Sequence, residues 1–226
     1  MSFLYEEKAS SSRFVDVVWH TVDTSDGTYI AAADACWDMI FTILAAGGSR
    51  VLLSGPSSRP TAVPYRTGNR SIGVRFTQGS YFTHIDPHSM CDRTIRLPIL
   101  TDGCFELAGR SWTMPDYDRI DVLLAAFDAN GLLANDPVIA AELSGAEPGV
   151  SARSVQRHFE RITGQSPRHV RQVTRARKAV ARLRAGEAIA EVAYELGYAD
   201  QSHLTREVKR LTGYTPAESQ RRDEPV

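Results

Sequence analysis

Residues 151–167 (SARSVQRHFERITGQSP) and 200–216 (DQSHLTREVKRLTGYTP) are two copies of one pattern, set 49 residues apart. A segment repeated at fixed period is one supersecondary unit used again, so the last third of the chain has to build the same element twice. Each copy opens on a good helix N-cap, Ser151 or Asp200, whose side-chain oxygen can accept from free N–H groups of the first turn. Val155, Phe159 and Ile162 in one copy match Leu204, Val208 and Leu211 in the other. Spacings of four and three put each trio on one helical face. Gly164 and Gly213 stop the helices, and Pro167 and Pro216 follow three residues on. Arg157 answers to Arg206, and Arg161 to Arg210.

The opposite faces carry the chemistry. The first helix presents Arg153, Gln156, Arg157 and Glu160; the second presents Gln201, Ser202, Thr205, Arg206 and Lys209. Arg, Gln, Ser and Thr are side chains that read donor and acceptor patterns on base edges in a major groove. Their place near each helix start suits a recognition helix, whose N-terminal residues meet the bases. One such helix alone would read as a solvated face. Two with the same polar set at the same offset point to nucleic acid.

The second copy also has a partner. Residues 189–196 (IAEVAYEL) place Ile189, Val192, Ala193 and Leu196 at helical spacing, and Gly197 supplies a tight turn before Asp200. Helix, short glycine turn and capped helix make a helix-turn-helix. Between the units, residues 168–184 contain neither Gly nor Pro and predict one continuous helix. At 1.5 Å per residue it spans roughly 25 Å, a plausible spacer for reading helices in successive major grooves roughly 34 Å apart. Arg171, Arg175, Lys178 and Arg182 form a basic stripe along it. Phosphate contact and a solvated charged face fit that stripe equally well.

The formal charge of −1 conceals an asymmetry: residues 1–150 hold 11 basic and 18 acidic side chains, and residues 151–226 hold 15 and 9. A basic segment on an acidic one fits a polyanion-binding module attached to a separate domain. With 42% apolar and 23% charged residues, the composition is that of a soluble globular chain. The longest apolar stretches, 39–46 and 122–127, fall far short of the roughly 20 residues a membrane helix needs. Residues 1–13 carry Glu6, Glu7 and a serine run where a signal peptide has a basic start and an apolar block, so a cytoplasmic protein is expected. Cys36, Cys91 and Cys104 lack C-x-x-C spacing, which argues against a disulfide framework or structural zinc and leaves buried thiols as the simplest reading.

Residues 1–115 differ in character. Short β-favouring runs at 13–22, 28–32, 37–44, 50–54 and 71–77 alternate with Asp-Gly, Gly-Gly, Gly-Pro and Gly-Asn signals, predicting a β-rich domain. Residues 117–129 predict a helix through Ile120, Leu123, Leu124 and Phe127, placed to link the domains or make a dimer contact. His84, Asp86 and His88, with His20, are the nearest approach to a metal-ligand set, but Pro87 favours a turn and no metal is expected. No phosphate loop or nucleophile elbow is present, the carboxylates offer no pair to single out, and no catalytic activity is expected. Trp19, Trp37 and Trp112 suit a core better than a ligand pocket.

Residues 186–218 (GEAIAEVAYELGYADQSHLTREVKRLTGYTPAE) closely resemble the second helix-turn-helix of AraC/XylS-type transcription regulators. Residues 151–186 (SARSVQRHFERITGQSPRHVRQVTRARKAVARLRAG) resemble that family's first recognition helix and linker helix, so the resemblance covers about 137–221. It implies two helix-turn-helix units on one face of double-stranded promoter DNA. By position it assigns base contacts to Arg153, Gln156 and Arg157 in the first unit, and to Gln201, Ser202, Thr205 and Arg206 in the second. One departure stands out: Ser144 and Pro148 occupy the places of Ala193 and Gly197, so the first supporting helix is expected in altered form around 137–143. In this family the N-terminal region commonly binds a small-molecule effector or makes a homodimer, often on a cupin-like barrel. DACWDMIFT and SIGVRFTQG are loosely similar to a shorter N-terminal domain found on some members.

The expectation is an α+β chain: a β-rich, cupin-like effector or dimerisation domain at 1–115, a helical linker at 116–136 and an all-α double helix-turn-helix DNA-binding domain at 137–226. The expected function is sequence-specific transcription regulation, with no cofactor and no membrane partner. Control by a partner protein is the alternative. A DNA-repair protein with an AraC-like domain fits less well, because that design uses four clustered cysteines.

Overall fold

The computed structural model describes residues 3–101 and 103–221, so the outermost ends of the expected domains lie outside the described residues. The N-terminal part is antiparallel β-structure. Its strands are β1 (Phe3–Lys8), β2 (Val15–Asp23), β3 (Gly27–Ala31), β4 (Asp38–Ile43), β5 (Ser49–Ser54), β6 (Thr61–Tyr65), β7 (Arg70–Phe76), β8 (Ser80–Phe82), β9 (Thr94–Leu97), β10 (Cys104–Leu107) and β11 (Arg110–Thr113), with β12 (Leu133–Asn135) joining later. A six-stranded sheet runs in the order β1-β2-β7-β4-β5-β9, and β3–β6, β8–β12 and β10–β11 pair separately.

Period-two alternation explains the sheet's two faces. Val18, Met39, Phe41, Leu53, Val74 and Phe76 point to one side and are buried in the first core. On the other side the pairing register sets Trp19, Gly73, Ile40 and Leu52 in one row across four strands. Gly73 is required there, because a Cβ at that position would lie 1.9 Å from Trp19 Cε2. The indole lies across the bare glycine.

The helices are α1 (Ile120–Ala129), α2 (Pro137–Ser144), α3 (Ala152–Thr163), α4 (Pro167–Arg184), α5 (Ile189–Glu195), α6 (Gln201–Thr212) and α7 (Pro216–Ser219). The segment expected as a linker at 116–136 is not a free connector. Ile120, Leu124 and Phe127 are buried in the first core, where Phe127 meets Phe82 and Trp112 edge-on, and β12 pairs with β8. Four apolar positions on one face found a partner within their own domain.

Helices α2 to α6 enclose the second core around Val155, Phe159, Val173, Val192, Leu204 and Val208. Truncating a fully buried side chain such as Phe159 to Ala would cost about 3–5 kcal/mol. Ala33 and Ala35, from the β region, are part of this second core, and Tyr81 packs against both cores. The two halves therefore share an apolar seam. Pro167 and Pro216 do more than follow a helix end: they are first-turn residues of α4 and α7, whose N-caps are Ser166 and Thr215.

Candidate nucleic-acid interface

The second helix-turn-helix unit is α5, a tight turn and α6. Gly197 takes the left-handed conformation (φ 69°) needed to reverse the chain, and Tyr198 N donates to Ala193 O at 2.9 Å. Asp200 caps α6 by accepting from His203 N at 2.6 Å. Leu204, Val208 and Leu211 are buried; Gln201, Ser202, Arg206 and Lys209 are exposed, and Thr205 is half-buried. Glu207, on the inner side, pairs with Arg175 of α4 at 2.7 Å.

In the first unit α2 supports α3 across a longer connection, 145–151. Ser151 caps α3, Val155, Phe159 and Ile162 are buried, and Arg153, Gln156 and Arg157 are exposed. Gln156 Nε2 donates to Glu160 Oε1 at 2.7 Å along the helix. What the sequence reading missed is the anchor of this unit, Asp136. Its buried carboxylate accepts from Val138 N and Ile139 N, capping α2, and also meets His158 Nδ1 at 2.7 Å and Arg161 Nη2 at 3.0 Å on α3. Burial pushes the carboxyl upward, but His158 and the two N–H groups outweigh it and hold it below the usual range. The Asp-Pro pair at 136–137, a cap followed by a first-turn proline, was the available signal.

Most of the basic stripe on α4 is paired within the chain. Arg171 pairs with Glu142, Arg175 with Glu207, and Arg182 with Glu187 and Glu195. Lys178 is exposed. Three of the four cations therefore tie α4 to its neighbours.

The histidines at 84 and 88 do not converge. His88 Nδ1 faces Glu160 O at 2.9 Å, His84 packs edge-on to Phe82, and His20 lies against Tyr117. Among the described residues no group of His, Cys, Asp or Glu is arranged to hold a metal. Cys36 is buried and Cys91 half-buried, and burial pushes both thiols up, away from reactivity. Trp37 and Trp112 belong to the first core, whereas Trp19 does not.

Trp19 lines a cavity of about 320 Å³ between the β3–β6 pair and the sheet. Tyr29, Ile40, Leu52 and Val63 form apolar walls, and Asp34, Asp38 and Arg75 form a charged end. Arg75 reaches Asp38 Oδ1 through Nε at 3.2 Å and Asp34 Oδ2 through Nη2 at 3.5 Å. Burial pushes the Asp38 carboxyl up to about 7 despite the guanidinium beside it. This corrects the reading that no carboxylate pair stands out. The two aspartates are four residues apart, and only the pairing of Asp38 with Arg75 across β4 and β7 brings their partner in.

Two capped helices on tight or extended turns, each with a buried apolar face and an exposed polar one, define a helix-turn-helix protein. A family profile described as a helix-turn-helix domain matches residues 145–222. This part of the chain is an AraC/XylS-type helix-turn-helix domain, and the family is one of transcription regulators. No protein of described function matches the chain by sequence search. Among solved structures, ToxT from Vibrio cholerae (P21 form) is similar at 10% identity and a TM-score of 0.49, covering 97% of this chain and 98% of that one. ToxT from Vibrio cholerae O395 bound to (E)-4-(8-methylnaphthalen-1-yl)but-3-enoic acid is similar at 12% identity and a TM-score of 0.48, with the same coverage. Among the described residues no helix is long and apolar enough to cross a membrane.

Proposed function

We propose that this protein is a sequence-specific transcription regulator that sets α3 and α6 in successive major grooves of promoter DNA. Base reading falls to Arg153, Gln156 and Arg157 on α3 and to Gln201, Ser202, Thr205 and Arg206 on α6. One observation carries this reading. Among the described residues, no hydrogen bond or ion pair engages Arg153, Arg157 or Arg206, although Arg161, Arg171, Arg175 and Arg182 are all paired. Cations left unspent at repeat-equivalent places on two helices fit an external anionic partner. Modulation by a small molecule is assigned to the cavity lined by Trp19, where apolar walls meet a few convergent polar groups. In this reading the modulating unit runs through residue 135, since α1 and β12 belong to its core, and the reading unit begins at α2.

The test is selection of bound genomic DNA fragments by the full-length protein at near-physiological salt. One enriched motif with two parts about a helical turn apart is expected. Salt-sensitive binding to any DNA without enrichment would overturn the reading.

A further inference from the structure

The 49-residue repeat extends to the place where each reading helix ends. Gly164 closes α3 and Gly213 closes α6, both in the left-handed conformation, and each lies against the β region. A Cβ on Gly164 would stand 2.4 Å from Cβ of Cys91; one on Gly213 would stand 2.6 Å from Cγ2 of Ile30. The last-turn carbonyls are held as well. Glu160 O faces His88 Nδ1 at 2.9 Å, and Leu211 O accepts from Ala33 N at 2.8 Å. Tyr214, one residue past its glycine, accepts from Ile30 N at 3.1 Å through its hydroxyl. The helix between the units is gripped too: Gln78 Nε2 donates to Thr174 Oγ1 at 3.0 Å, and His169 Nε2 lies 3.0 Å from Ser58 O.

These contacts fall on the C-terminal ends of α3 and α6. The base-reading residues occupy the N-terminal and outer parts, where all but the half-buried Thr205 are exposed. A domain that blocked DNA would cover those faces; this one holds the helices from behind.

We propose that the β region is a two-point positioning clamp, which fixes the separation and angle of the two reading helices and thereby selects the spacing of the two half-elements in DNA. The proposal rests on the functional reading above and names how the β region acts on it. The cavity lies between the two grips. Ala31, Ala32 and Asp34 on one wall continue the segment that holds α6, and Ser57 and Asp92 adjoin Ser58 and Cys91, which hold α4 and α3. An occupant there bears on both grips at once.

The experiment uses the full chain and the two-part element it selects, rebuilt as a series of duplexes with inserted base pairs up to half a helical turn, ~5. Wild-type protein is compared with the combined variant Gln78→Ala, His88→Ala and Tyr214→Phe, with thermal unfolding confirming that both fold. A clamp that pre-organises the helices predicts a wild-type affinity peaked at one spacing. In the variant that peak falls about tenfold while other spacings change little, because only pre-organised binding is lost. Superimposable profiles, or an equal loss at every spacing, would overturn the clamp. Should the wild-type protein select no element at all, the functional reading fails and the clamp with it. Tyr214→Phe alone, which removes one oxygen, repeats the test should the combined variant not fold; flattening by about threefold is then expected, and none would overturn the proposal.

Discussion

Arg175 of α4 and Glu207 of α6 form an ion pair at 2.7 Å, closed by both Nε and Nη2 on the same carboxylate oxygen. The guanidinium also lies 4.2 Å over the ring of Tyr198, in the turn that precedes α6. One side chain thus fixes α4, the turn and α6 together. The Glu207 side chain is only 4% exposed, so the pair is largely withdrawn from water.

Breaking that pair leaves a buried carboxylate without its main counterion. Arg175→Met is expected to cost about 3 kcal/mol. Arg171→Met, which removes an exposed partner of Glu142, should cost below ~1 kcal/mol. Urea midpoints of the two variants compare them directly. Equal small losses would mean that Glu207 finds adequate solvation without Arg175.

Asp136 carries the equivalent burden in the first unit. Asp136→Ala removes the cap of α2 and strands His158 and Arg161, and should lower stability by about 2–3 kcal/mol. Its folded carboxyl titrates below its unfolded value, so this contribution is present at neutral pH and fades as the solution is acidified through that lowered value. An alanine variant losing as much stability at pH 3 as at pH 7 would contradict the assignment.

Asp38 works in the opposite direction. Its folded carboxyl is pushed up to about 7, chiefly by burial, so between pH 4 and 7 the folded state binds a proton that the unfolded chain has released. The unfolded state then holds fewer protons, and this group's contribution to stability falls as pH rises through that window. Asp38→Asn cannot titrate. Wild-type stability relative to Asp38→Asn is therefore expected to decline from pH 4 to 7 and level off above. A constant difference across that range would mean that Arg75 keeps Asp38 ionised throughout.

The parts of the fold legible in the sequence were those with strong local period or caps. The helices at 152–163, 167–184, 189–195 and 201–212 follow from apolar spacing, Ser and Asp caps and terminal glycines. Five expected strand runs correspond to β2, β3, β4, β5 and β7. Four of the strands that went unread had no such signal. β1 contains Glu6, Glu7 and Lys8 on a sheet edge, β6 contains Pro64, and β8 and β12 have three residues each. Sites made by distant segments were hidden for a different reason. Asp38 and Arg75 meet only through strand pairing, and Cys91 meets Gly164 only because the β region docks behind α3. The basic stripe on α4 was visible, but not its partners: Glu142, Glu187, Glu195 and Glu207 lie on four separate stretches of chain.

Arg157 and Arg206 hold equivalent places in the repeat, are exposed, and have no partner among the described residues. If each makes a good base contact, Arg157→Ala and Arg206→Ala should each cost roughly 1–3 kcal/mol at the selected element. On random DNA the loss should be no more than that of one phosphate contact, seen as a salt slope shallower by about one. Lys178→Ala is the control, an exposed cation on α4, outside α3 and α6; a phosphate role for it predicts equal weakening on both DNAs. Fluorescence anisotropy at three salt concentrations separates the cases. Equal loss on selected and random DNA for both arginines would move them from base reading to backbone contact. A specific loss for Arg206 alone would mean that the first unit, with its longer 145–151 connection, positions the protein while the second reads the sequence.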